Sequence, residues 1–145
     1  MLKTKVTWQD VDVMARTIYG EARAEPIAGK IAVGRIIVNR AEMDLRGDGK
    51  PDWWGEGIAG VCQAPMQFSC WNPTDPNRRL LMAVQLGDRI FADCIAAAAL
   101  AIAGDGAPWL SRCTHYHARG VMPAWAKGKA PAGIIGRHLF YSGID

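Results

Sequence analysis

One segment limits the folds open to this chain more than any other: residues 26–46, where apolar side chains recur around most of a helical circumference. Ile27, Ile31, Gly34, Val38, Ala41 and Leu45 form one stripe, and Val33, Ile36 and Ile37 widen it. A helix this broadly apolar has to be covered on several sides, so it belongs at the centre of a core. Pro26 suits its first turn, and Asn39 within it reads as a buried hydrogen bonder. With 145 residues, 50% of them apolar and 21% charged, the chain has material for one core and one globular domain over residues 1–145.

The covering elements are legible in the same periodicities. Val11, Met14, Ala15, Ile18 and Ala22 follow the spacing of one buried helical face, with Thr7 and Asp10 suited to cap its start. Pro26 disfavours helix at Glu25, which ends that helix near residues 22–24. A short helix is expected over 57–63. A longer one is expected over 78–103, broken at Gly87-Asp88, where Asp88 caps the second part. Its stripe is Ile90, Phe91, Cys94, Ile95, Ala98 and Ile102, and Gly104-Asp105-Gly106 stops it. Residues 47–60 and 64–79 read as long irregular loops, a kind usually kept for function. Cys113–Ala118 and His138–Ser142 are strand-like and are separated by a basic Pro/Gly-rich loop. The expected class is α+β, predominantly helical, with a small β element.

Charge is uneven. Arg112, Arg119, Lys127, Lys129 and Arg137 stand against Asp145 alone in residues 106–145. This excess suits an anionic polymer, or else is a solvated surface with no dedicated partner. Residues 1–5 lead into a polar helix with no apolar signal core. The apolar run at 94–103 is too short to span a bilayer. Synthesis as a soluble cytoplasmic protein is the expectation. Cys62, Cys70, Cys94 and Cys113 have neither CxxC nor zinc-finger spacing. Reduced thiols are expected inside a cell, with a Cys62–Cys70 bridge open if the protein works outside. Cys94 reads as a core residue.

Among groups able to do chemistry, Glu21 stands out. It falls in the last turn of the first helix, where the negative end of the dipole disfavours its carboxylate. A carboxyl that keeps its proton near neutral pH serves as a general acid; a solvated surface glutamate is the plainer alternative. Trp53, Trp54, Trp71 and Trp125 lie in expected loops, where they either stack on sugar rings or anchor the loops to the core. In the strand Thr114-His115-Tyr116-His117, His115 and His117 share a face with Tyr116 opposite. With His138 these histidines could in principle bind zinc, but no HExxH and no convincing fourth ligand accompany them. No metal and no cofactor is therefore assigned. Cys70 and Cys113 lack a nucleophile's context, and no phosphate or dinucleotide loop is present.

Ile18-Tyr19-Gly20-Glu21-Ala22-Arg23-Ala24-Glu25, Gln67-Phe68-Ser69-Cys70-Trp71, Thr114-His115-Tyr116-His117 and Ile135-Gly136-Arg137-His138-Leu139-Phe140-Tyr141 occur in that order. Together they resemble the cell-wall hydrolase family of the bacterial spore cortex-lytic enzymes, whose catalytic domain also occurs in phage lysis enzymes. The resemblance implies a lysozyme-like α+β domain that cleaves the glycan strands of peptidoglycan, with Glu21 as catalytic acid. Many members are lytic transglycosylases, which leave a 1,6-anhydro end instead of adding water. Ala24 departs from the family's usual glycine and bears on backbone geometry before Glu25. Gln67, Ser69, Trp71, Thr114, His115 and Tyr116 are the candidates for orienting glycan in the cleft. A hydrolytic glycosidase ordinarily needs a second carboxyl about 5–9.5 Å away, for which Glu25, Asp44, Asp48, Asp52 and Glu56 are candidates in undistinguished settings. That tilts the expectation toward transglycosylation over a hydrolytic muramidase, with a non-catalytic glycan-binding module as the rival from another class. The expected partner is peptidoglycan, met by a monomer after release to the wall as in a phage endolysin, without nucleic acid or stable membrane insertion.

Overall fold

The computed structural model describes residues 5–43, 54–65 and 67–144. Among them, five helices surround one another and a three-stranded sheet closes one side. The helices are α1 (Trp8–Ala22), α2 (Ile27–Glu42), α3 (Gly57–Gln63), α4 (Pro76–Ala83) and α5 (Arg89–Ile102). The strands are β1 (Cys113–Ala118), β2 (Gly133–Ile135) and β3 (His138–Ser142). Predominantly helical α+β is the observed class.

α2 is central, as its breadth requires. It packs on α1, α3, α5 and β1, and Ala32, Val33, Ile36, Ile37 and Val38 are buried. The α2–α5 approach is close because both faces are small. A Cβ added at Gly34 would lie 2.8 Å from the Ala101 Cβ, and Ala97, Ala98 and Ala101 are fully buried. Asn39 is the buried hydrogen bonder expected: its Nδ2 donates to the carbonyls of Leu110 at 2.8 Å and Cys113 at 2.7 Å. Both carbonyls lie at the entry to β1, so one amide ties the sheet to the central helix.

α1 begins at a full capping box, with Thr7 and Asp10 exchanging backbone bonds. Asp88 caps α5 through the Phe91 N–H at 2.9 Å, so the break expected at Gly87-Asp88 separates two helices. Three boundaries differ from expectation. Pro26 is the extended N-cap residue of α2 and not part of its first turn. α2 ends at Glu42, where Met43 turns extended; Leu45 and Arg46 lie outside the described residues. α4 starts at Pro76 within the expected loop, because Asp75 caps it through the Asn77 N–H at 2.8 Å.

β1 and β3 have the expected limits and pair antiparallel, Tyr116 opposite Phe140 and Ala118 opposite His138. β2 had no counterpart in the sequence reading. It is only three residues long, too short for alternation to register, and forms by pairing on the open edge of β3. A tight Gly136-Arg137 turn joins them, with Gly136 at φ +56°. All four cysteines are buried free thiols, so no Cys62–Cys70 bridge is present. No described helix is long and apolar enough to cross a membrane.

Candidate active site

α1 delivers Glu21 to the seam between the helices and the sheet. There the Tyr116 hydroxyl of β1 donates to Glu21 Oε1 at 2.8 Å. Burial is the largest influence on this carboxyl and raises its pKa above the ordinary 4.5, reinforced by the nearby Asp75 carboxylate. Hydrogen bonds from Tyr116 and Cys70 and the charge of Arg40 oppose the rise without reversing it. The direction expected from sequence is present, but its chief cause is desolvation and not the helix terminus. Tyr116 is itself held neutral, its pKa raised by burial and by Glu21.

Glu21 opens into a cleft of about 360 Å³ whose walls include Gln67, Phe68, Tyr116, His117, Trp125 and His138. Arg40 forms part of its floor and is almost wholly buried. Its Nε donates to the Thr114 carbonyl at 2.7 Å and a terminal nitrogen donates to Gln67 Oε1 at 2.9 Å. Its guanidinium lies 5.2 Å from the Phe68 ring centre and 5.8 Å from that of Trp54. The helix α2 thus supplies a positive charge near the acid, held by hydrogen bonds to Thr114 and Gln67.

Of the seven residues singled out from sequence, the fold brings Glu21, Gln67 and Tyr116 to this cleft; the other four lie elsewhere. Ser69 is exposed outside its walls. Trp71 turns inward, its Nε1 donating to the buried Thr17 hydroxyl at 2.9 Å, which pins the 69–71 turn to α1. Thr114 is buried, its hydroxyl 2.9 Å from His115 Nδ1. His115 packs edge-on against Trp125 and Trp54, with ring centres 4.9 and 6.0 Å away. Burial lowers its pKa to about 4, so the ring is neutral. Adjacency in a motif does not say which neighbours share a cleft: Thr114 and His115 turn into the packing around β1, and Ser69 faces solvent outside the cleft walls.

The alternation expected in β1 is present. Tyr116 faces Glu21, while His115 and His117 both meet Trp125 on the other side. His138 packs against Tyr116 with ring centres 4.9 Å apart, so the three histidines do not converge. Among the described residues no group of three His, Cys, Asp or Glu side chains could hold a metal ion. Trp125, His117 and His138, all singled out in the sequence, also line the cleft, and Arg40 lines it without having been singled out. Arg40 shares its helix with Lys30 and Arg35, so its charge alone does not mark it out.

Of the possible second carboxylates, the two among the described residues do not line this cleft. Glu25 is buried beside the Gly136-Arg137 turn, where its Oε1 accepts the Arg137 N–H at 2.8 Å and lies 3.5 Å from His138 Nδ1. Glu56 is exposed before α3. Asp44, Asp48 and Asp52 lie outside the described residues. Asp75 is turned to the α4 N-terminus. Among the described residues, Glu21 is the one carboxyl lining the cleft.

Comparison with known proteins gives the family and the fold. Residues 24–141 match the cell wall hydrolase family. The chain belongs to that family. Within this cell wall hydrolase, a 60-residue stretch is 46% identical to the spore cortex-lytic enzyme of Oceanobacillus iheyensis and 38% identical to that of Halalkalibacterium halodurans. That stretch is 41% of this chain, and it spans only 19% and 16% of those enzymes. The fold matches the catalytic domain of the Bacillus cereus SleB protein with a TM-score of 0.72 at 21% identity, over 97% of this chain and 95% of that one. It also matches the catalytic domain of the germination-specific lytic transglycosylase SleB of Bacillus anthracis, with a TM-score of 0.69 at 22% identity, over 96% and 98% of the two chains.

Proposed function

We propose that this cell wall hydrolase cleaves the glycan strands of peptidoglycan as a lytic transglycosylase, with Glu21 as its single acid and base. The observation that carries the reading is a half-buried, hydrogen-bonded carboxyl with a raised pKa, the one carboxyl among the described residues that lines an aromatic-walled cleft.

Such a group protonates the glycosidic oxygen as the C–O bond breaks and oxocarbenium character develops on the sugar. The resulting carboxylate is stabilised by the Tyr116 hydroxyl and by the charge of Arg40. It then takes the proton of the sugar's own C6 hydroxyl, whose oxygen closes on the anomeric carbon. The products are a 1,6-anhydro end and a new free end, and the acid regains its proton. No second carboxylate is required. Trp125 offers an aromatic face for a sugar ring, and Gln67 is oriented toward the cleft by Arg40.

The test is digestion of purified sacculi by wild type and by Glu21→Gln, followed by mass spectrometry. The proposal expects products one water lighter than hydrolytic ones, and their disappearance with Glu21→Gln while glycan binding persists. Hydrated ends would point to a hydrolytic muramidase. Unchanged digestion by the variant would remove Glu21 from the chemistry. We further propose a phage-lysis setting, in which a monomer reaches the wall from inside. Co-expression with a membrane-permeabilising protein should then lyse the host, whereas expression alone should not.

A further inference from the structure

Glu21 borders two cavities. Beyond the aromatic cleft lies a second hollow of about 260 Å³, and the two share Glu21, Ala118 and His138 as walls. The first sets the aromatic rings of Phe68, Tyr116 and Trp125 beside Arg40 and Gln67. The second is walled by Arg23, Glu25, Asn77 and Arg137 together with Gly20, Ala22 and Ala24.

Arg23 is pre-positioned. Its terminal nitrogens donate to the Tyr19 carbonyl at 3.2 Å and to Asn77 Oδ1 at 2.8 Å, and its guanidinium sits 5.4 Å from the Tyr19 ring centre. A guanidinium has five N–H donors, so this fixed fork retains donors for an incoming group. Arg137 is held at its backbone, where its N–H bonds Glu25, while its side chain is exposed. Neither arginine forms an ion pair among the described residues. Glu25, the one acid in the hollow besides Glu21, is buried with Oε1 engaged by the Arg137 N–H. The hollow therefore carries two guanidinium groups against one buried carboxylate, directly beside Glu21.

We propose that this second hollow receives a carboxylate of the peptide stem carried by the glycan, so that the enzyme prefers peptide-substituted strands to bare ones. The inference rests on the reading of the chain as a peptidoglycan-cleaving glycosidase. A strand running past Glu21 places one sugar against the aromatic wall and its neighbour over the arginines. A peptide carboxylate there meets a planar donor fork, the pairing in which charge-assisted hydrogen bonds are strongest.

The experiment compares kcat/KM on three strands: peptide-bearing, stripped by an amidase, and peptide-bearing with the stem carboxyls capped as amides. Wild type should favour the first over both others about tenfold, the size of one charge-assisted hydrogen bond. Arg137→Gln should lower that ratio severalfold, and Arg23→Gln with Arg137→Gln should bring it to about one. The ratio is insensitive to the folded fraction, since misfolding lowers all three rates equally. A wild-type ratio near one overturns the inference while leaving the glycosidase reading intact, as does a ratio unmoved by the double variant. Equal rates on capped and free stems would overturn recognition by charge. Failure of wild type to cut any strand would overturn the glycosidase reading and this inference with it.

Discussion

Gly20 offers the most direct test of how the acid is held. It lies in the last turns of α1 beside Glu21, and the 69–71 turn and α4 press against it. A Cβ built there would stand 2.7 Å from the Cys70 Cβ, 2.9 Å from its Sγ and 2.9 Å from Leu81 Cδ2. By helix propensity alone, Gly20→Ala should stabilise the protein by about 1 kcal/mol. Against that stand three contacts shorter than side-chain packing tolerates, one of them to a Cβ that moves only with its backbone. Overpacking of this kind costs about 3 kcal/mol at the upper end of its usual range. The net expectation is a loss of about 2 kcal/mol, which for a domain of this size lowers Tm by about 4–8 °C. The displaced group is Cys70, a hydrogen-bond partner of Glu21, so the acid should shift as well. Misplacement by an ångström at a reacting centre can cost about 100-fold, and kcat should fall about 10- to 100-fold. Thermal unfolding by circular dichroism and release of soluble wall fragments measure the two effects. A variant as stable as wild type, or more so, would refute the steric argument outright.

Gly136→Ala should be destabilising by about 3–4 kcal/mol in urea unfolding. The residue adopts φ +56°, which costs about 1–2 kcal/mol in a residue with a Cβ, and that Cβ would lie 2.6 Å from Glu25 Oε1 and break its bond to the Arg137 N–H. A loss below about 1 kcal/mol would mean that Glu25 does not anchor the β2–β3 turn. Glu21→Gln should trade activity for stability in a pH-dependent way. Because burial raises the folded-state pKa of Glu21, its neutral form is favoured by folding, and that contribution fades as pH rises from 4.5 through the raised value. Glutamine keeps an acceptor for Tyr116 and never ionises. The variant should therefore melt above wild type at neutral and alkaline pH, with the gap closing on acidification. A gap independent of pH would contradict a desolvated acid.

Local chemistry made much of this protein legible before any coordinates. Periodicity fixes the faces of α1, α2 and α5; Thr7, Asp88 and Pro26 mark ends of elements; alternation in β1 sends Tyr116 one way and His115 and His117 the other. These depend on neighbours three or four residues apart, or on every second residue, so they can be read from spacing. What tertiary packing alone decided is the environment of each polar group. Glu21 is raised chiefly because the helices and β1 close over it, and Arg40 lies beneath it because α2 passes under the cleft from far along the chain. Thr114, His115 and Trp71 look like site residues in their motifs, yet partners distant in sequence draw them inward. β2 exists because β3 offers an open edge. Desolvation and long-range pairing are properties of three-dimensional neighbours, and no local pattern encodes them.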